Sequence, residues 1–474
     1  MAPSRRLGLL ARVNFPLYTV NCISERHIVV AGGGGNSKTG IDNVIEIYEL
    51  VNDNGTCKAK PVTRFETGTQ AVMNSCVFYD GKNYAMAVGM DNFCQLYKLK
   101  WKILSAEREG DVLPSKISET VAERRDSGIT KVRKRHRTNS SSHDNEEPIN
   151  AEEKVTKKPT KKSTNKLKKE DSKDVNDNSS STEIGFDVTE TSSTQTDFSK
   201  DDPFQKVVRT TPDGSLIITA GSDGSIRSWK YPKLQLLYTI KAHTSEVDDI
   251  DISPSGNKIV SVGSDGHSYI WKTKDGSKDV ELKWNPPNTQ DKYLMKLCRF
   301  GRVEGKSSKP GLFTVATPAI RKKPAAPCYI IKWNTTDFLP AKVIVAGTDI
   351  ISTLAINDDG RFLAVGTLSG SVHIYIAYNL KRLKAIEDVH NIFVTGLEFL
   401  SSSEHTKMIT GGKEASVVSV SVDNHICVNH IDERRINPIN QYIFPLLTIQ
   451  HSLGYQLIRK NCNPNLFVDY NNLR

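Results

Sequence analysis

The sequence lacks any C-x-x-C pair, although it contains eight cysteines. Zinc ribbons and dithiol redox sites need such pairs, so both are excluded, and scattered cysteines of this kind indicate a reducing compartment. The first six residues, MAPSRR, are followed by too few apolar residues to form a signal-peptide core. Nucleophile-elbow and HExxH motifs are missing as well. We therefore expect a cytosolic N-terminal part and a protein that performs no covalent catalysis.

Aromatic residues are absent between Trp101 and Phe186, where lysine, serine and threonine accumulate. Such a stretch cannot bury enough apolar surface to offset the entropy cost of ordering, so residues 105–201 are predicted to form a disordered insert. Within it, residues 131–170 carry thirteen Lys or Arg against six Asp or Glu, which accounts for most of the net charge of +10. This basic tract is typical either of a solvated, phosphorylatable linker or of a nuclear localisation or nucleic-acid-binding segment. A nuclear scaffold or transcription regulator is therefore the alternative function, although we expect no nucleic-acid partner.

A repeated pattern lies outside the insert: an apolar run, a tight Asp-Gly turn and a second run that ends on an aromatic residue. The clearest copies are LIITAGSDGSIRSW (216–229) and IVSVGSDGHSYIW (259–271), whose turn residues Asp223 and Asp265 lie 42 residues apart. That spacing is the period of a WD-repeat propeller blade. In the second copy, four residues match the hydrogen-bonded structural tetrad of this family: His243, Ser261, Asp265 and Trp271.

Weaker copies extend the pattern along the chain, at residues 87–99, 363–376 and 408–422, and Trp333 closes a degenerate copy. With the strand-like segment 17–50, they predict an all-β fold, a seven-bladed propeller. Since one blade cannot bury both of its faces alone, all copies must close into one ring. We expect blades 1 and 2 within residues 1–104, blades 3 to 7 within residues 202–431, and a tail over 432–474. The insert should leave the ring between blades 2 and 3.

A long glycine-rich loop interrupts the first blade. AGGGGNSKTGIDN (31–43) separates the strand-like segments HIVV and VIEIY, where a two-residue hairpin turn would have been enough. It is not a phosphate-binding P-loop, because Ser37 stands where the second glycine should be and a strand follows in place of a helix. A G-x-G-x-x-G dinucleotide fingerprint is not completed either. The loop is therefore predicted to serve another purpose than nucleotide binding, unless it is a tolerated insertion.

The loop sequence GGGGNSKTGIDN, with NFPLY upstream and the segment from Glu66-Thr67 to Met73-Asn74 downstream, resembles the family of prolactin regulatory element-binding protein, the animal exchange factors for the Sar GTPase. This resemblance covers both sides of the insert and reaches about Arg435. It implies a cytosolic propeller on the endoplasmic reticulum membrane that activates the GTPase and starts COPII coats in transport to the Golgi. It also implies that the loop is shaped by a bound potassium ion and opens the nucleotide site of the GTPase.

Glycine carbonyls suit such an ion, because glycine tolerates positive φ and several carbonyl oxygens can then turn towards one weakly hydrated cation. The candidate potassium ligands are the carbonyls of Gly32, Gly33, Gly34 and Gly35. The candidate contacts to the GTPase are Asn36, Ser37, Lys38, Thr39, Gly40, Ile41, Asp42 and Asn43. Among these, Ile41 is expected to act as an apolar wedge and the polar members as competitors for phosphate, magnesium or switch-loop contacts.

The C-terminal segment departs from the family, whose members are held in the membrane by one C-terminal helix. Residues 436–458 are uncharged, but they contain Pro438 and Pro445 together with several Asn and Gln. The best apolar run, 442–449, is far shorter than the ~20 residues that a bilayer requires. We therefore expect no spanning helix here, and an alternative or truncated terminus that leaves this chain soluble.

Overall fold

The computed structural model describes residues 8–37, 39–104, 183–287, 289–303 and 306–433. These residues form 28 strands and one short helix, α1 (Glu404–Ile409). The strands assemble into seven antiparallel sheets of four strands each. The predicted all-β, seven-bladed propeller is thereby confirmed.

The first strand, β1 (Leu9–Arg12), belongs to the last blade, and the blades proper begin after it. Blade 1 contains β2 (Leu17–Cys22), β3 (His27–Gly32), β4 (Asn43–Asp53) and β5 (Thr56–Gly68). Blade 2 contains β6 (Asn74–Tyr79), β7 (Tyr84–Met90), β8 (Phe93–Leu104) and β9 (Glu183–Gln195). Blade 3 contains β10 (Gln205–Thr210), β11 (Leu216–Gly221), β12 (Ser225–Lys230) and β13 (Gln235–Lys241).

The remaining blades repeat this order along the chain. Blade 4 contains β14 (Val247–Ile252), β15 (Lys258–Gly263), β16 (Ser268–Lys272) and β17 (Lys278–Glu281). Blade 5 contains β18 (Tyr293–Val303), β19 (Lys306–Pro318), β20 (Cys328–Trp333) and β21 (Pro340–Gly347). Blade 6 contains β22 (Ile351–Ile356), β23 (Phe362–Thr367), β24 (Val372–Ile376) and β25 (Arg382–Ile386). Blade 7 contains β26 (Val394–Phe399), β27 (Lys413–Ser421), β28 (His425–Asp432) and β1.

The ring closes because β1 supplies the fourth strand of blade 7. It runs antiparallel to β28, with Arg12 opposite His425. Leu10 packs against the apolar cluster shared with blade 1, whereas Leu9 packs against the cluster shared with blade 6. β1 thus joins the first and last strands of the described residues and completes the ring.

The position predicted for the insert is wrong at its C-terminal end. Residues 183–195 form β9, the outer strand of blade 2, so the chain leaves the ring between the third and fourth strands of that blade and not between blades 2 and 3. Phe186 holds this strand in place: its side chain is buried and its ring centroid lies 4.4 Å from that of Trp101. Residues 105–182, including the basic tract, lie outside the described residues, as do residues 434–474.

The tetrad residues of blade 4 form one chain of hydrogen bonds. Nδ1 of His243 lies 3.0 Å from the carboxylate of Asp265, and Nε2 lies 2.9 Å from Oγ of Ser261. Nε1 of Trp271 donates to the same hydroxyl at 2.9 Å. All four side chains are largely buried, so they stabilise the blade and are not available to a partner.

A second such network in blade 7 was not predicted from the sequence. Nδ1 of His390 lies 3.1 Å from Asp423, and Nε2 lies 2.9 Å from Oγ of Ser419. Asn429 occupies the position that corresponds to Trp271, counted from the aspartate. The missing tryptophan explains why the motif escaped the sequence comparison.

The inner strands surround a central channel of about 430 Å³. Glu398 on β26 lines it, and burial raises the pKa of this carboxyl to about 7, although Arg209 and Arg299 oppose the shift. Because the folded state binds this proton more tightly than the unfolded chain, the glutamate favours folding at low pH. That contribution is lost as the pH rises from about 4.5 towards 7.

We expect Glu398→Gln to flatten this part of the pH profile of stability. Between pH 5 and pH 8, the free energy of unfolding of the variant should rise by about 1–2 kcal/mol relative to that of the wild type. This is less than the full pKa shift of Glu398 implies, because solvent in the channel screens the charge. Urea unfolding at both pH values measures the difference. Parallel profiles for the two proteins would contradict the assignment.

Candidate functional site

In blades 1 to 4, the turn that joins the second strand of the blade to the third is longest in blade 1. Ten residues, 33–42, join β3 to β4, and we call them the exchange loop. The corresponding turn of blade 3 has only three residues, 222–224. The flanking strands pair in regular register, with Gly32 opposite Val44, so the loop emerges from an undistorted hairpin.

Asn43 holds the base of the loop. Its Oδ1 accepts from the backbone N–H of Gly35 at 2.8 Å, and its Nδ2 donates to the carbonyls of Gly35 at 3.3 Å and Gly68 at 2.9 Å. The side chain is buried, at 5% exposure. In the free protein this amide therefore fixes the base of the loop, because only a side chain with both donor and acceptor satisfies these groups. That Asn43 also contacts a partner remains a prediction.

A salt bridge holds the C-terminal end of the loop. Arg64 on β5 lies 3.1 Å from the carboxylate of Asp42 and 2.6 Å from that of Glu46. Burial opposes the charge on Arg64, but hydrogen bonds and attraction from Glu46 and Asp42 outweigh it and raise its pKa. Asp42 is exposed, but its ion pair with Arg64 fixes the orientation of its carboxylate. Arg64 was not among the predicted residues, because nothing in the sequence links it to a loop more than twenty positions upstream.

The tip of the loop faces solvent. Ile41 is 40% exposed, and Asn36, Ser37, Thr39 and Gly40 are exposed as well, whereas Lys38 lies outside the described residues. Internal hydrogen bonds shape this tip: Oγ of Ser37 donates to the carbonyl of Gly34 at 2.8 Å, and the N–H of Ile41 donates to Oγ1 of Thr39 at 3.4 Å. The structure therefore presents an apolar side chain on an ordered polar turn.

Uncharged oxygen atoms surround Gly33 and Gly34. A methyl group at Gly34 would lie 2.4 Å from Oγ1 of Thr39 and 3.1 Å from the carbonyl oxygen of Ile41. A methyl group at Gly33 would lie 2.3 Å from Oδ1 of Asn43 and 2.7 Å from the carbonyl oxygen of Asp42. Hydroxyl, amide and carbonyl oxygens without charge are the donors that suit a weakly hydrated monovalent cation. The oxygens near Gly33 and Gly34 are of this chemical kind, and they come from residues 39–43, not from the four glycines.

The glycine carbonyls themselves are partly engaged. That of Gly34 accepts from Ser37 and that of Gly35 accepts from Asn43. The described residues contain no group of three or more His, Cys, Asp or Glu arranged to hold a metal ion. The seven cysteines in the described part of the chain are all free thiols.

Gly33→Ala is expected to distort the base of the loop. Gly33 has φ +141°, which favours glycine, and an added methyl would lie only 2.5 Å from Cα of Asn43. We expect a loss of about 2–3 kcal/mol in the free energy of unfolding. Gly35→Ala is the matched control: its φ is +69° with no atom within 4 Å of the added methyl, so it should cost about 1 kcal/mol. Equal melting temperatures for the two variants would contradict this account.

The fold and the tetrads define a WD-repeat propeller. In agreement with this, the family model described as "WD domain, G-beta repeat" matches residues 206–230, 234–272 and 340–375. The first match covers three strands of blade 3, the second runs from the last strand of blade 3 through three strands of blade 4, and the third runs from the last strand of blade 5 into blade 6.

Two relatives identify the particular family. The chain is 31% identical over 443 residues to the guanine nucleotide-exchange factor SEC12 of Mus musculus, covering 92% of this chain and 93% of the relative. It is 30% identical over the same length to the guanine nucleotide-exchange factor SEC12 of Rattus norvegicus, with the same coverage. The chain belongs to the SEC12 family of guanine nucleotide-exchange factors. None of the helices in the described residues has the length and apolar character needed to span a membrane.

Proposed function

We propose that this protein is a guanine nucleotide-exchange factor that activates a Sar-type small GTPase, and so starts COPII vesicle formation at the cytosolic face of the endoplasmic reticulum. One observation supports this most: a chain of the exchange-factor family carries a ten-residue loop fixed at its base and exposed at its tip. A tolerated insertion would need neither the buried amide of Asn43 nor the pairing of Asp42 with Arg64.

Exchange requires no covalent step. If the propeller binds the nucleotide-free GTPase more tightly than the nucleotide-bound form, the affinity of the GTPase for its nucleotide falls by the same factor. The loop is the part that discriminates between the two forms. Ile41 enters the nucleotide site as an apolar wedge, and Asp42 and Thr39 compete for groups that otherwise hold phosphate or magnesium.

The ordered base is what makes this wedge effective. A loop that was free in solution would lose conformational entropy on binding, whereas one already fixed by Asn43 and Arg64 loses little. The ion pair of Asp42 also directs its carboxylate before the partner arrives. Asn36, Ser37 and Gly40, which are exposed at the tip, line the rest of the contact.

We further propose that a potassium ion stiffens the loop, held by the oxygens around Gly33 and Gly34 together with the carbonyls of residues 32–35. When bound, the ion supplies a positive centre that draws these oxygens together. The support is the presence of four uncharged oxygens close to Gly33 and Gly34 and the suitability of such donors for a monovalent cation.

The test is release of a fluorescent guanine nucleotide from purified Sar GTPase, with and without the full-length protein, in potassium and in sodium buffer. We expect acceleration that is weaker in sodium. Deletion of residues 131–170 is the control for the alternative nuclear function and should leave the rate unchanged. No acceleration by the folded protein in either buffer would refute the proposed function, and equal acceleration in both would refute the role of potassium.

A further inference from the structure

A continuous set of hydrogen bonds extends from the exchange loop across blade 2. Gly68 accepts from Asn43 at the loop base, and Oγ1 of Thr67 donates to the carbonyl of Gln70 at 2.9 Å. Nε2 of Gln70 then donates to the carboxylate of Asp91 at 2.9 Å. Asp91 belongs to the turn between β7 and β8, so the turn of blade 2 is tied to the base of the loop.

The same set continues to blade 3. The carbonyl of Asn92 accepts from the N–H of Thr196 at 2.8 Å, where the chain leaves β9. Two residues further on, the N–H of Phe198 donates to the carboxylate of Asp223 at 3.2 Å. These connections lie at the same end of the blades as the exchange loop, since each joins a turn between second and third strands to the segment that enters the next blade.

Exposed apolar side chains follow this path. Ile41 is 40% exposed, Phe93 is 38% exposed and Phe198 is 55% exposed. We call the surface formed by Phe93, Phe198 and the connecting residues 67–70 and 91–92 the blade 2 ridge. Large apolar side chains exposed beside a binding loop are typical of a protein contact surface.

Phe198 is held in position although its ring is exposed. The guanidinium of Arg227 lies 4.8 Å from the centre of the ring. Asp197, which is fully buried, accepts from the backbone N–H groups of Ser199 at 3.0 Å and Phe204 at 3.2 Å. The segment that carries Phe198 is therefore ordered before any partner binds, and a rigid aromatic residue loses little entropy on contact.

We propose that the blade 2 ridge is a second contact surface for the GTPase, with Phe93 and Phe198 as its apolar anchors. The inference rests on the proposed function and extends it. A specific protein complex buries about 800 Å² on each partner, which is more than the tip of a ten-residue loop supplies, so adjoining surface must take part. The ridge is the surface joined to the loop base by hydrogen bonds, and its anchors lie in the next blade along the chain and in the segment that follows it.

The exchange loop and the blade 2 ridge have different roles in this proposal. The loop acts on the nucleotide site and sets the maximal rate of release, whereas the ridge binds the GTPase in all its nucleotide states and sets the concentration at which release is half-maximal. Uniform binding of this kind changes the half-saturating concentration without changing the maximal rate.

The test is nucleotide release from Sar GTPase, titrated with the full-length protein carrying Phe93→Ala and Phe198→Ala together. We expect the half-saturating concentration to rise about tenfold or more with the maximal rate unchanged, as for loss of two interface anchors. Tyr79→Ala is the matched control, since Tyr79 is 56% exposed in blade 2 but is the last residue of β6, at the end of the blade opposite to the turn between β7 and β8. It should behave as the wild type.

The outcomes separate the two proposals. If the double variant titrates as the wild type while Ile41→Asp loses activity, the ridge is not a contact surface and the exchange function stands. If the wild type itself accelerates nothing, the proposed function fails. An effect of Tyr79→Ala equal to that of the double variant would also overturn the ridge. Melting temperatures of all variants show whether a loss of activity reflects a loss of fold.

Discussion

Ile41→Asp is expected to lower the maximal rate of nucleotide release by about 100-fold. In the proposed complex, Ile41 is the apolar residue that enters the nucleotide site. A carboxylate at that position loses the apolar contact and must also be desolvated beside the phosphate-binding groups of the GTPase, which makes the penalty larger than that of a simple truncation. Nucleotide-release kinetics at saturating exchange factor measure the effect.

Ile41→Val is the matched control for this variant. It keeps an apolar, β-branched side chain and removes one methylene group, so the rate should fall by no more than a few-fold. Because Ile41 is 40% exposed in the free protein, neither change should alter the melting temperature by more than about 2 °C. A rate for Ile41→Asp equal to that of the wild type would show that the tip of the loop does not enter the nucleotide site.

Opening the ring at β1 is expected to have the largest effect on stability. Leu9 and Leu10 lie on opposite sides of this strand and pack against the apolar clusters of the two neighbouring blades. Replacing both with aspartate places two carboxylates in these clusters, which should cost about 3–5 kcal/mol. The measurement is urea unfolding at neutral pH.

Arg12→Asp is the corresponding control. Arg12 lies on the same strand, opposite His425, but its side chain is exposed. It introduces the same charge without burying it, and a surface change of this kind usually alters stability by less than about 0.5 kcal/mol. If the double leucine variant unfolded at the same urea concentration as Arg12→Asp, β1 would not be the closure of the ring.

The sequence predicted the fold best where the blades repeat the same chemistry. Asp223 and Asp265 mark two Asp-Gly turns of equal type, and the period between them indicated the propeller directly. Blade 7 uses the same His, Ser and Asp, but Asn429 replaces the aromatic residue, so its network became visible only in three dimensions. The closing strand β1 could not be predicted, because its partner lies at the other end of the described chain.

The boundaries of the insert show why composition alone misleads. The segment 183–195 is rich in Glu, Ser and Thr, and it was assigned to the disordered region on that ground. One aromatic residue of this segment, Phe186, packs against Trp101 and belongs to the same apolar cluster as Tyr97. These contacts hold the segment as the outer strand of blade 2. As the outer strand of its blade, β9 leaves most of its other side chains exposed or half-buried, so a polar composition is compatible with its place in the sheet.

The exchange loop was located from the sequence, but its internal architecture was not. Its length, its glycines and the presence of Ile41 are local features that a sequence displays. The burial of Asn43 and the pairing of Asp42 with Arg64 depend on β5, which pairs with β4 and ends beside the base of the loop. The sequence therefore did not reveal the hydrogen bonds of Asn43 at the base, and its contact with a partner remains a prediction.

The most direct test of the account is the affinity of the full-length protein for Sar GTPase in its nucleotide-free and its GDP-bound form, measured with the wild type and with Ile41→Asp. The account predicts that the wild type binds the nucleotide-free form at least about 100-fold more tightly, by the linkage between exchange and binding. It also predicts that Ile41→Asp removes most of this preference and retains affinity for the GDP-bound form. Equal affinity of the wild type for the two forms would contradict the claim that this loop releases nucleotide.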